Sequence, residues 1–314
     1  MRTAAHVRAA FYTEYGTSDV LRIGELPDPV TGPDGILVRV AAAGVNPVDC
    51  KIRQGYLDGA FPSHFPIVPG WDAAGTVEAV GPAVTSFAVG DRVLGYVRKD
   101  DVQHGTTAEL VRAGERHLAP IPDGVSFEAA GALPLAGLTA LQAIEAAGIG
   151  AGDTVLVHAA AGGVGAFAVQ LARLRGARVV GTAGESNAEF LRSLGAEPVT
   201  YGDGLVDRVR SLLDGAPVTA ALDFVGGSAI TDSFTLVQDP ARVVTVTDGA
   251  AALAEGGRYV FVRPDPAQLG ELALLVAAGS LHVEVAATFD LAYVAEAHRR
   301  LETGHARGKV VVTI

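Results

Sequence analysis

One segment of this chain, TVLVHAAAGGVGAFAVQLARLRGARVVGTA at 154–183, restricts the possible folds more than any other. Residues 154–159 form an apolar run of strand length, and small residues follow it. Four apolar residues then recur at the i, i+3, i+4, i+7 spacing of one helix face: Val164, Phe167, Ala168 and Leu171. Gly176 ends this helix, and a second apolar run begins at Ala177. The segment therefore predicts a strand–turn–helix–strand unit.

The turn of this unit has the glycine spacing of a dinucleotide-binding loop. Ala160, Gly162 and Gly165 follow G-x-G-x-x-G, with alanine in the first place. Gly162 lets the backbone approach a diphosphate, Gly165 lets the helix pack closely on the strand, and the helix N-terminus offers free N–H groups. Glycines in a purely structural turn are the alternative, but the surrounding unit favours the nucleotide. We therefore predict that these three residues, with Gly163 and Val164, bind a pyrophosphate.

The end of the second strand decides between NAD and NADP. An Asp or Glu there would bind the ribose 2′-hydroxyl of NAD. The strand instead ends in GTAG, and the absence of an acid leaves room for a 2′-phosphate. Glu185 and the lack of a nearby Lys or Arg argue the other way. The sequence favours NADP over NAD as the cofactor, with Gly184, Ser186 and Tyr201 as its predicted ligands.

The rest of the chain predicts an α/β protein of two domains. The first 120 residues read as short Val-rich strands between Gly/Pro turns, which is typical of a β-barrel or sandwich. Helical segments then alternate with five predicted strands, at 154–159, 177–182, 220–225, 242–246 and 258–262. This alternation predicts a doubly wound parallel sheet of the Rossmann type. We place the Rossmann domain at 126–263 and the β-rich domain at 1–125 and 264–314.

Composition excludes several classes of partner and compartment. The net charge of −11 argues against nucleic acid or an anionic membrane as the main partner, since both are polyanions. One cysteine, Cys50, excludes an intramolecular disulfide and a multi-cysteine zinc lobe. His6 and Arg8 interrupt the N-terminal apolar residues, so we expect no signal peptide there. We therefore expect a soluble, cytoplasmic protein without a membrane span.

Seven stretches match, in order and over nearly the whole chain, the motifs of one enzyme family. They are GVNPVDCKIRQGY (44–56), VPGWDAAGTVEAVG (68–81), GDRVLGY (90–96), LPLAGLTA (133–140), HAAAGGVGAFAVQLAR (158–173), LGAEPVTY (194–201) and DFVGG (223–227). On these residues the chain resembles the medium-chain dehydrogenase/reductase superfamily, in its zinc-free, zeta-crystallin-like quinone oxidoreductase branch. The resemblance implies a GroES-like catalytic domain beside the Rossmann domain. It also implies a homodimer joined through the edge strand at 258–262.

The resemblance also bears on metal and chemistry. Alcohol dehydrogenases of this superfamily hold zinc with a Cys and a His at the places where this chain has Asn46 and Trp71. Cys50 and the nearby His64 do not complete an open tetrahedral site, so we predict no metal. Without a Lewis acid, oxidation of an alcohol is unfavourable, whereas a quinone or an α,β-unsaturated carbonyl accepts hydride with less help. The predicted substrate is therefore a small quinone or enone.

Two residues are the catalytic candidates. Asn46 is predicted to donate a hydrogen bond to the substrate carbonyl; the alternative is an Asx turn that only holds its loop. Tyr56, which resembles the family's cleft tyrosine, is predicted to bind the acceptor or supply a proton. The alternative is a tyrosine that caps the barrel.

Four further residues are predicted to contact the nicotinamide end of the cofactor: Thr139, Val225, Val246 and Phe261. Thr139 has the alternative of a helix threonine that bonds its own backbone, and Phe261 that of a core or dimer-edge residue. His158, at the end of the first Rossmann strand, is predicted to be a hydrogen-bonded structural histidine. Two other functions remain open at this point: an enoyl reductase of a biosynthetic tailoring pathway, and a nucleotide-binding protein without turnover.

Overall fold

The computed structural model describes residues 6–304 and 306–314 of the chain. The strands are β1 (His6–Phe11), β2 (Arg22–Pro27), β3 (Gly35–Val45), β4 (Ser63–Val68), β5 (Asp72–Val80), β6 (Arg92–Tyr96), β7 (Val102–His104), β8 (Leu110–Gly114), β9 (Leu118–Pro120), β10 (Thr154–Val157), β11 (Arg178–Ala183), β12 (Glu197–Thr200), β13 (Ala220–Asp223), β14 (Val243–Thr245), β15 (Arg258–Tyr259), β16 (Val285–Asp290) and β17 (Lys309–Thr313). The helices are α1 (Pro47–Arg53), α2 (Phe127–Ala132), α3 (Pro134–Ala146), α4 (Gly165–Leu174), α5 (Ala188–Ser193), α6 (Leu205–Leu212), α7 (Ser228–Leu236), α8 (Gly249–Ala254), α9 (Pro266–Ala277) and α10 (Val294–Glu302). None of the helices in these ranges is both long enough and apolar enough to cross a membrane.

The contacts between residues divide the chain into two compact units. Unit 1 consists of the residues up to Leu135 together with Pro264–Ile314, and unit 2 is Ala136–Arg263. The first boundary lies ten residues after the one predicted at 125/126, because α2 packs on β3, β5 and β17 of unit 1. Gly131 of α2 allows this packing: a Cβ there would lie 3.0 Å from the carbonyl oxygen of Ala42.

The main sheet of unit 1 is antiparallel except at one edge. Within the described residues its strands follow the order β16-β17-β3-β5-β6-β9, and β8 pairs with the first part of β3. The pair β16/β17 is parallel. Alternate residues of β3 point into the core, where Ile36, Val38 and Val40 are buried with valines of β5, β6 and β8. The valine-rich pattern that predicted a β domain is therefore the core of this sheet.

Unit 2 contains a parallel sheet with a doubly wound strand order. Over the ranges described, the order is β12-β11-β10-β13-β14-β15, and every adjacent pair is parallel. When the strands are numbered within the unit, this order is 3-2-1-4-5-6. The direction in which successive strands are added to the sheet reverses beside the first strand. Ligands of such sheets bind at the carboxyl ends of the strands next to that point. The predicted fold class, a Rossmann sheet with a β-rich second unit, is confirmed.

Several elements are shorter than the sequence pattern predicts. The apolar run that starts at Leu281 becomes a strand only at Val285, because the amides of Ser280 and Leu281 both donate to the carbonyl of Leu275 and close the end of α9. The strand predicted at 258–262 is confined to β15, which lies at the sheet edge and pairs only with β14 in the described chain.

Candidate active site

The glycine loop of unit 2 is held in one conformation by backbone contacts. The amide of Ala160 donates to the carbonyl of Thr182 on β11 at 2.9 Å, and the amide of Gly162 donates to the carbonyl of Ala159 at 2.9 Å. Ala159 has φ of 52°, in the left-handed region that costs a non-glycine residue about 1–2 kcal/mol. The loop therefore accepts local backbone strain in order to turn sharply from β10 into α4.

Gly165, the last glycine of the motif, has no room for a side chain. A Cβ there would lie 2.2 Å from the carbonyl oxygen of Ala159 and 2.7 Å from the Cα of Ala160. The start of α4 thus touches the end of β10, as the sequence predicts. Among the described residues no side chain caps the N-terminus of α4, so its first amides, apart from that of Ala166, which donates to the carbonyl of Gly162 at 3.0 Å, can face an anion. Gly162, Gly163 and Val164 are partly exposed there. This geometry fits a pyrophosphate.

The residues predicted for the adenosine end lie at the carboxyl ends of β11 and β12. A Cβ on Gly184 would lie 4.0 Å from the ring of Tyr201, so these two residues are neighbours. Ser186 is exposed in the 3₁₀ turn Glu185–Asn187 that follows. The Tyr201 side chain is 61% exposed. Sequence reasoning missed Arg208 of α6, whose guanidinium donates to backbone carbonyls of the same loop.

Asp223 organises the loop after β13, where Val225 was predicted to contact nicotinamide. Its Oδ1 accepts from the amides of Val225 at 3.0 Å and Gly226 at 2.8 Å. Its Oδ2 accepts from the hydroxyls of Thr245 at 2.7 Å and Thr247 at 3.2 Å. One buried carboxylate thus joins the carboxyl ends of β13 and β14 and leaves Val225 exposed. The sequence motif DFVGG signals this arrangement, although its acid had no predicted role.

The other residues predicted to contact the nicotinamide differ in their solvent exposure. Val246 follows β14 and donates its amide to the carbonyl of Asp223 at 3.2 Å. Phe261 is exposed just after β15, whereas Thr139 is buried within α3. Their contacts with a cofactor therefore remain predictions.

His158 is a structural histidine with both ring nitrogens engaged. Nε2 lies 3.0 Å from the hydroxyl of Ser233, and Nδ1 lies 3.4 Å from that of Thr182. Burial lowers the pKa of His158 to about 4, although the nearby charge of Asp223 acts in the opposite direction. The ring is therefore neutral near pH 7 and ties β10 to α7 and β11.

In unit 1, Asn46 belongs to a buried polar cluster that also contains Asp49, Asp72 and Lys309. The Nδ2 of Asn46 donates to Oδ2 of Asp72 at 2.9 Å, and its Oδ1 accepts from the ammonium of Lys309. Lys309 also lies 3.5 Å from Asp72. The backbone amide of Asn46 donates to Oδ2 of Asp49 at 2.7 Å, which closes the first turn of α1. The cluster joins β3, α1, β5 and β17.

The second hydrogen of the Asn46 amide group has a weak acceptor. Its only further acceptor among the described residues is the carbonyl of Gly44, at 3.5 Å. That distance exceeds the ordinary range of about 2.7–3.2 Å for an N–H donor. Lys309 fixes which end of the amide donates, because an ammonium has no acceptor and must face the oxygen. Asn46 is itself only 1% exposed.

Tyr56 does not join this cluster. It lies just after α1, where its amide donates to the carbonyl of Lys51 at 3.0 Å, and it is 75% exposed. Its hydroxyl is therefore accessible from solvent, and a substrate role stays a prediction.

Burial raises the pKa of both carboxyl groups in the cluster. Burial raises the pKa of Asp49 from 3.8 to about 7, since the hydrogen bond from Asn46 and the charge of Lys309 oppose it only in part. Asp72 also repels the ionised form of Asp49. Oδ1 of Asp49 has no hydrogen-bond partner within the described residues. Burial likewise raises the pKa of Asp72, and Lys309 is the largest opposing influence.

Asp49→Asn is expected to flatten the pH dependence of stability. Because the folded protein binds the Asp49 proton more tightly than the unfolded chain, the wild-type free energy of unfolding falls as pH rises from about 4 to about 7. One pKa unit corresponds to about 1.4 kcal/mol, so the loss is on the order of a few kcal/mol. The asparagine carbonyl can still accept from the amide of Asn46. The measurement is urea unfolding at several pH values from about 5 to about 8.

Asp91→Asn is the matched control, because Asp91 is exposed and accepts from the amide of Ala88 at 2.8 Å across the same three-residue span. Its stability profile is expected to run parallel to that of the wild type. A parallel profile for Asp49→Asn as well would contradict the assignment of the buried proton.

The side chains at the two positions where alcohol dehydrogenases of this superfamily hold zinc do not fit a zinc ion. Asn46 presents an amide whose oxygen faces an ammonium, and an ammonium repels a second cation. Trp71 is a buried indole that packs edge-on against Tyr96, with ring centroids 6.1 Å apart. Over residues 6–304 and 306–314, no group of three or more His, Cys, Asp and Glu side chains is arranged to hold a metal ion.

Comparison with known proteins places the chain in a family. The sequence profile described as "Alcohol dehydrogenase GroES-like domain" matches residues 32–123, and "Zinc-binding dehydrogenase" matches residues 194–312. A 2-methylene-furan-3-one reductase of Solanum lycopersicum is 33% identical over 319 residues, which cover 98% of this chain and 79% of that protein. The chain belongs to the medium-chain dehydrogenase/reductase family, of the quinone oxidoreductase type.

Two further members of the family support this placement. An NADPH-dependent alkenal/one oxidoreductase of Arabidopsis thaliana chloroplasts is 34% identical over 98% of this chain and 79% of that protein. The structure of the quinone oxidoreductase of Coxiella burnetii superposes with a TM-score of 0.88 at 31% identity, covering 99% of this chain and 100% of that one. The predicted family and enzyme class, an oxidoreductase with a nicotinamide cofactor, are confirmed.

Proposed function

We propose that this protein is an NADPH-dependent reductase of a small quinone or other α,β-unsaturated carbonyl compound, and that it works without zinc. The observation that carries the proposal is the Asn46 amide, which stands at a zinc-ligand position and is oriented there by Lys309. A reductase of an already polarised acceptor needs a hydrogen-bond donor for the developing oxyanion rather than a Lewis acid. The weakly bonded second hydrogen of Asn46 supplies such a donor.

The names of the relatives agree with this substrate class. They describe a reductase of a methylene-furanone, an oxidoreductase of alkenals and alkenones, and a quinone oxidoreductase. All three names indicate acceptors in which a carbonyl is conjugated with a double bond. We infer an acceptor of that kind for this chain.

For the cofactor, we infer NADPH from the residues at the ends of β11 and β12. No acid stands at the end of β11, and the exposed hydroxyls of Ser186 and Tyr201 are available to a 2′-phosphate. The phosphate loop at Gly162–Gly165 would hold the pyrophosphate, with Val225 near the nicotinamide ribose. The bound dihydronicotinamide supplies the hydride in such reductions.

We further infer a homodimer through the free edge of β15. In the described chain this strand pairs only with β14, and Tyr259 and Phe261 are exposed beside it. Pairing of two copies across this edge would cover both the unpaired backbone groups and the rings.

Cytoplasmic residence fits the single buried Cys50, because a reducing compartment keeps thiols unpaired.

The test of the proposed function is a titration of the purified protein with NADPH and NADH, followed by nicotinamide fluorescence. A small quinone and a small enone are then added to each complex. Tight NADPH binding with oxidation on addition of either acceptor is the expected result. Preference for NADH would overturn the cofactor assignment. Binding without oxidation would favour an enoyl substrate or a protein without turnover.

Asn46→Ala is expected to lower kcat by about 10²–10³, as loss of one oxyanion donor does in other enzymes. The dissociation constant of NADPH should stay unchanged, because Asn46 belongs to unit 1 and the nucleotide loop to unit 2. The measurement is steady-state kinetics together with the fluorescence titration.

Gln54→Ala is the control for this variant. It removes an exposed amide at the end of the same helix, one that donates to Glu302 at 2.8 Å. Its kcat is expected to match that of the wild type. A kcat for Asn46→Ala within about threefold of wild type would show that the amide does not serve the substrate.

A further inference from the structure

The loop after β12 is bound by one guanidinium. Arg208 of α6 donates from Nε and Nη2 to the carbonyl of Thr200 at 3.2 and 2.9 Å. Nη2 also reaches the carbonyls of Tyr201 at 3.4 Å and Gly202 at 3.1 Å, and Nη1 reaches that of Asp203 at 2.7 Å. Four successive carbonyl oxygens therefore converge on a single side chain.

The loop depends on this side chain for its shape. Gly202 has φ of 94° and Gly204 has φ of 76°, so the backbone turns twice through the left-handed region within three residues. Glycines leave such a loop many alternative conformations in the absence of other contacts. The planar fork of an arginine can bridge several carbonyls at once, whereas an ammonium acts as a point charge. Arg208 thus selects one conformation of the loop.

This conformation determines where Tyr201 lies. The Tyr201 ring is carried by the loop to a position beside Gly184, at the end of β11, with its side chain largely exposed. The end of β11 is where the ribose of a bound dinucleotide is recognised in this fold. In the hydrogen bonds and ion pairs of the described chain, Arg208 faces carbonyl oxygens and no carboxylate.

We propose that Arg208 is the positioning residue for cofactor selectivity: by holding the 200–203 loop, it keeps the Tyr201 hydroxyl at the place of a nucleotide 2′-phosphate. The inference rests on the proposed use of NADPH. Arg208 acts through Tyr201 and does not itself contact the cofactor. Neither residue takes part in the transfer of hydride.

The test compares two probes that differ only at the 2′ position, 2′,5′-ADP and 5′-AMP, by calorimetric titration of the full chain. Wild type is expected to bind 2′,5′-ADP more tightly. Arg208→Gln should lower that preference about tenfold, a difference of about 1.4 kcal/mol, while the affinity for 5′-AMP stays unchanged. Arg208→Lys should behave like Arg208→Gln, because a point charge cannot hold four carbonyls.

Two further variants make the result specific. Arg210→Gln removes an exposed charge from the same helix and should keep the wild-type preference. Arg208→Gln should have no additional effect on the 2′-phosphate preference in a Tyr201→Ala background, since residues that act through one another are not additive. Thermal unfolding of each variant identifies any that fail to fold.

Three outcomes would overturn the inference. A wild-type preference for 2′,5′-ADP over 5′-AMP in Arg208→Gln would show that the loop keeps its conformation without the guanidinium. Wild-type behaviour of Arg208→Lys would assign the effect to charge alone, and additivity with Tyr201→Ala would separate the two residues. A wild type without preference for 2′,5′-ADP would instead mean that the proposed NADPH function itself has failed.

Discussion

Lys309→Met is expected to destabilise the protein by about 3–5 kcal/mol, the range for removing one partner of a buried ion pair. Lys309 is the cation of a cluster in which Asp72 is fully buried, 3.5 Å from the ammonium. Methionine fills much of the same volume but leaves Asp72 without a counter-charge and Asn46 Oδ1 without its donor. The loss should shrink as pH falls, because protonation of Asp72 removes the uncompensated charge.

Equilibrium urea unfolding measures this effect. Lys51→Met is the control, because Lys51 is an exposed lysine of α1, and its stability should change by less than about 0.5 kcal/mol. Lys309→Met combined with Asp72→Asn should recover part of the loss, since no buried charge then remains between the two positions. A Lys309→Met protein as stable as wild type would show that the ammonium does not stabilise the fold.

Gly165→Ala is expected to abolish tight cofactor binding and to destabilise unit 2 by about 1–3 kcal/mol or more, as overpacking does. The added Cβ would lie 2.2 Å from the carbonyl oxygen of Ala159. That carbonyl cannot retreat easily, since the neighbouring amide of Ala160 is bonded to β11. The start of α4 must therefore move away from β10, and the amides proposed to bind the pyrophosphate would move with it.

Fluorescence titration with NADPH and thermal unfolding test this variant together. Gly150→Ala is the control, because a Cβ there meets nothing within 4 Å, and both properties should remain those of the wild type. In Gly162→Ala the added Cβ would lie 3.2 Å from its nearest atom, so the NADPH affinity and stability of this variant should lie between those of Gly165→Ala and Gly150→Ala. NADPH affinity of Gly165→Ala within about threefold of wild type would contradict the close packing of helix and strand.

The fold was largely predictable because hydrophobic periodicity reports burial. The four inner strands of the parallel sheet, β11, β10, β13 and β14, are short runs rich in apolar residues, and the valines of β3 alternate as the core requires. The alternation implied helices at α7 and α8, but no local pattern located them. The first has the sequence SAITDSFTL, whose serines and threonines are weak helix formers, and its formation depends on packing against β13 and β14.

The candidate site was predictable only where its residues are close in sequence. The glycine loop is one continuous motif, so its geometry follows from local pattern. Lys309 lies 263 residues from Asn46 in sequence, and no local pattern links them. Arg208 was missed for a different reason: it is near its partner carbonyls in sequence, but the contact arises only because the helix directs the side chain back onto the preceding loop.

The position of β17 between β16 and β3 has a consequence for the order in which the two units fold during synthesis. This strand is the last one of the described chain, yet it pairs with residues of β3 and contributes the ammonium group of Lys309 that faces Asp72. The contiguous unit 2 emerges from the ribosome well before β17 does, so unit 2 can fold during synthesis. Unit 1 cannot complete its sheet until β17 has emerged. In that interval the edge of β3 lacks a neighbour along Ala42–Val45. The nascent chain thus presents an apolar strand edge of the kind that chaperones shield.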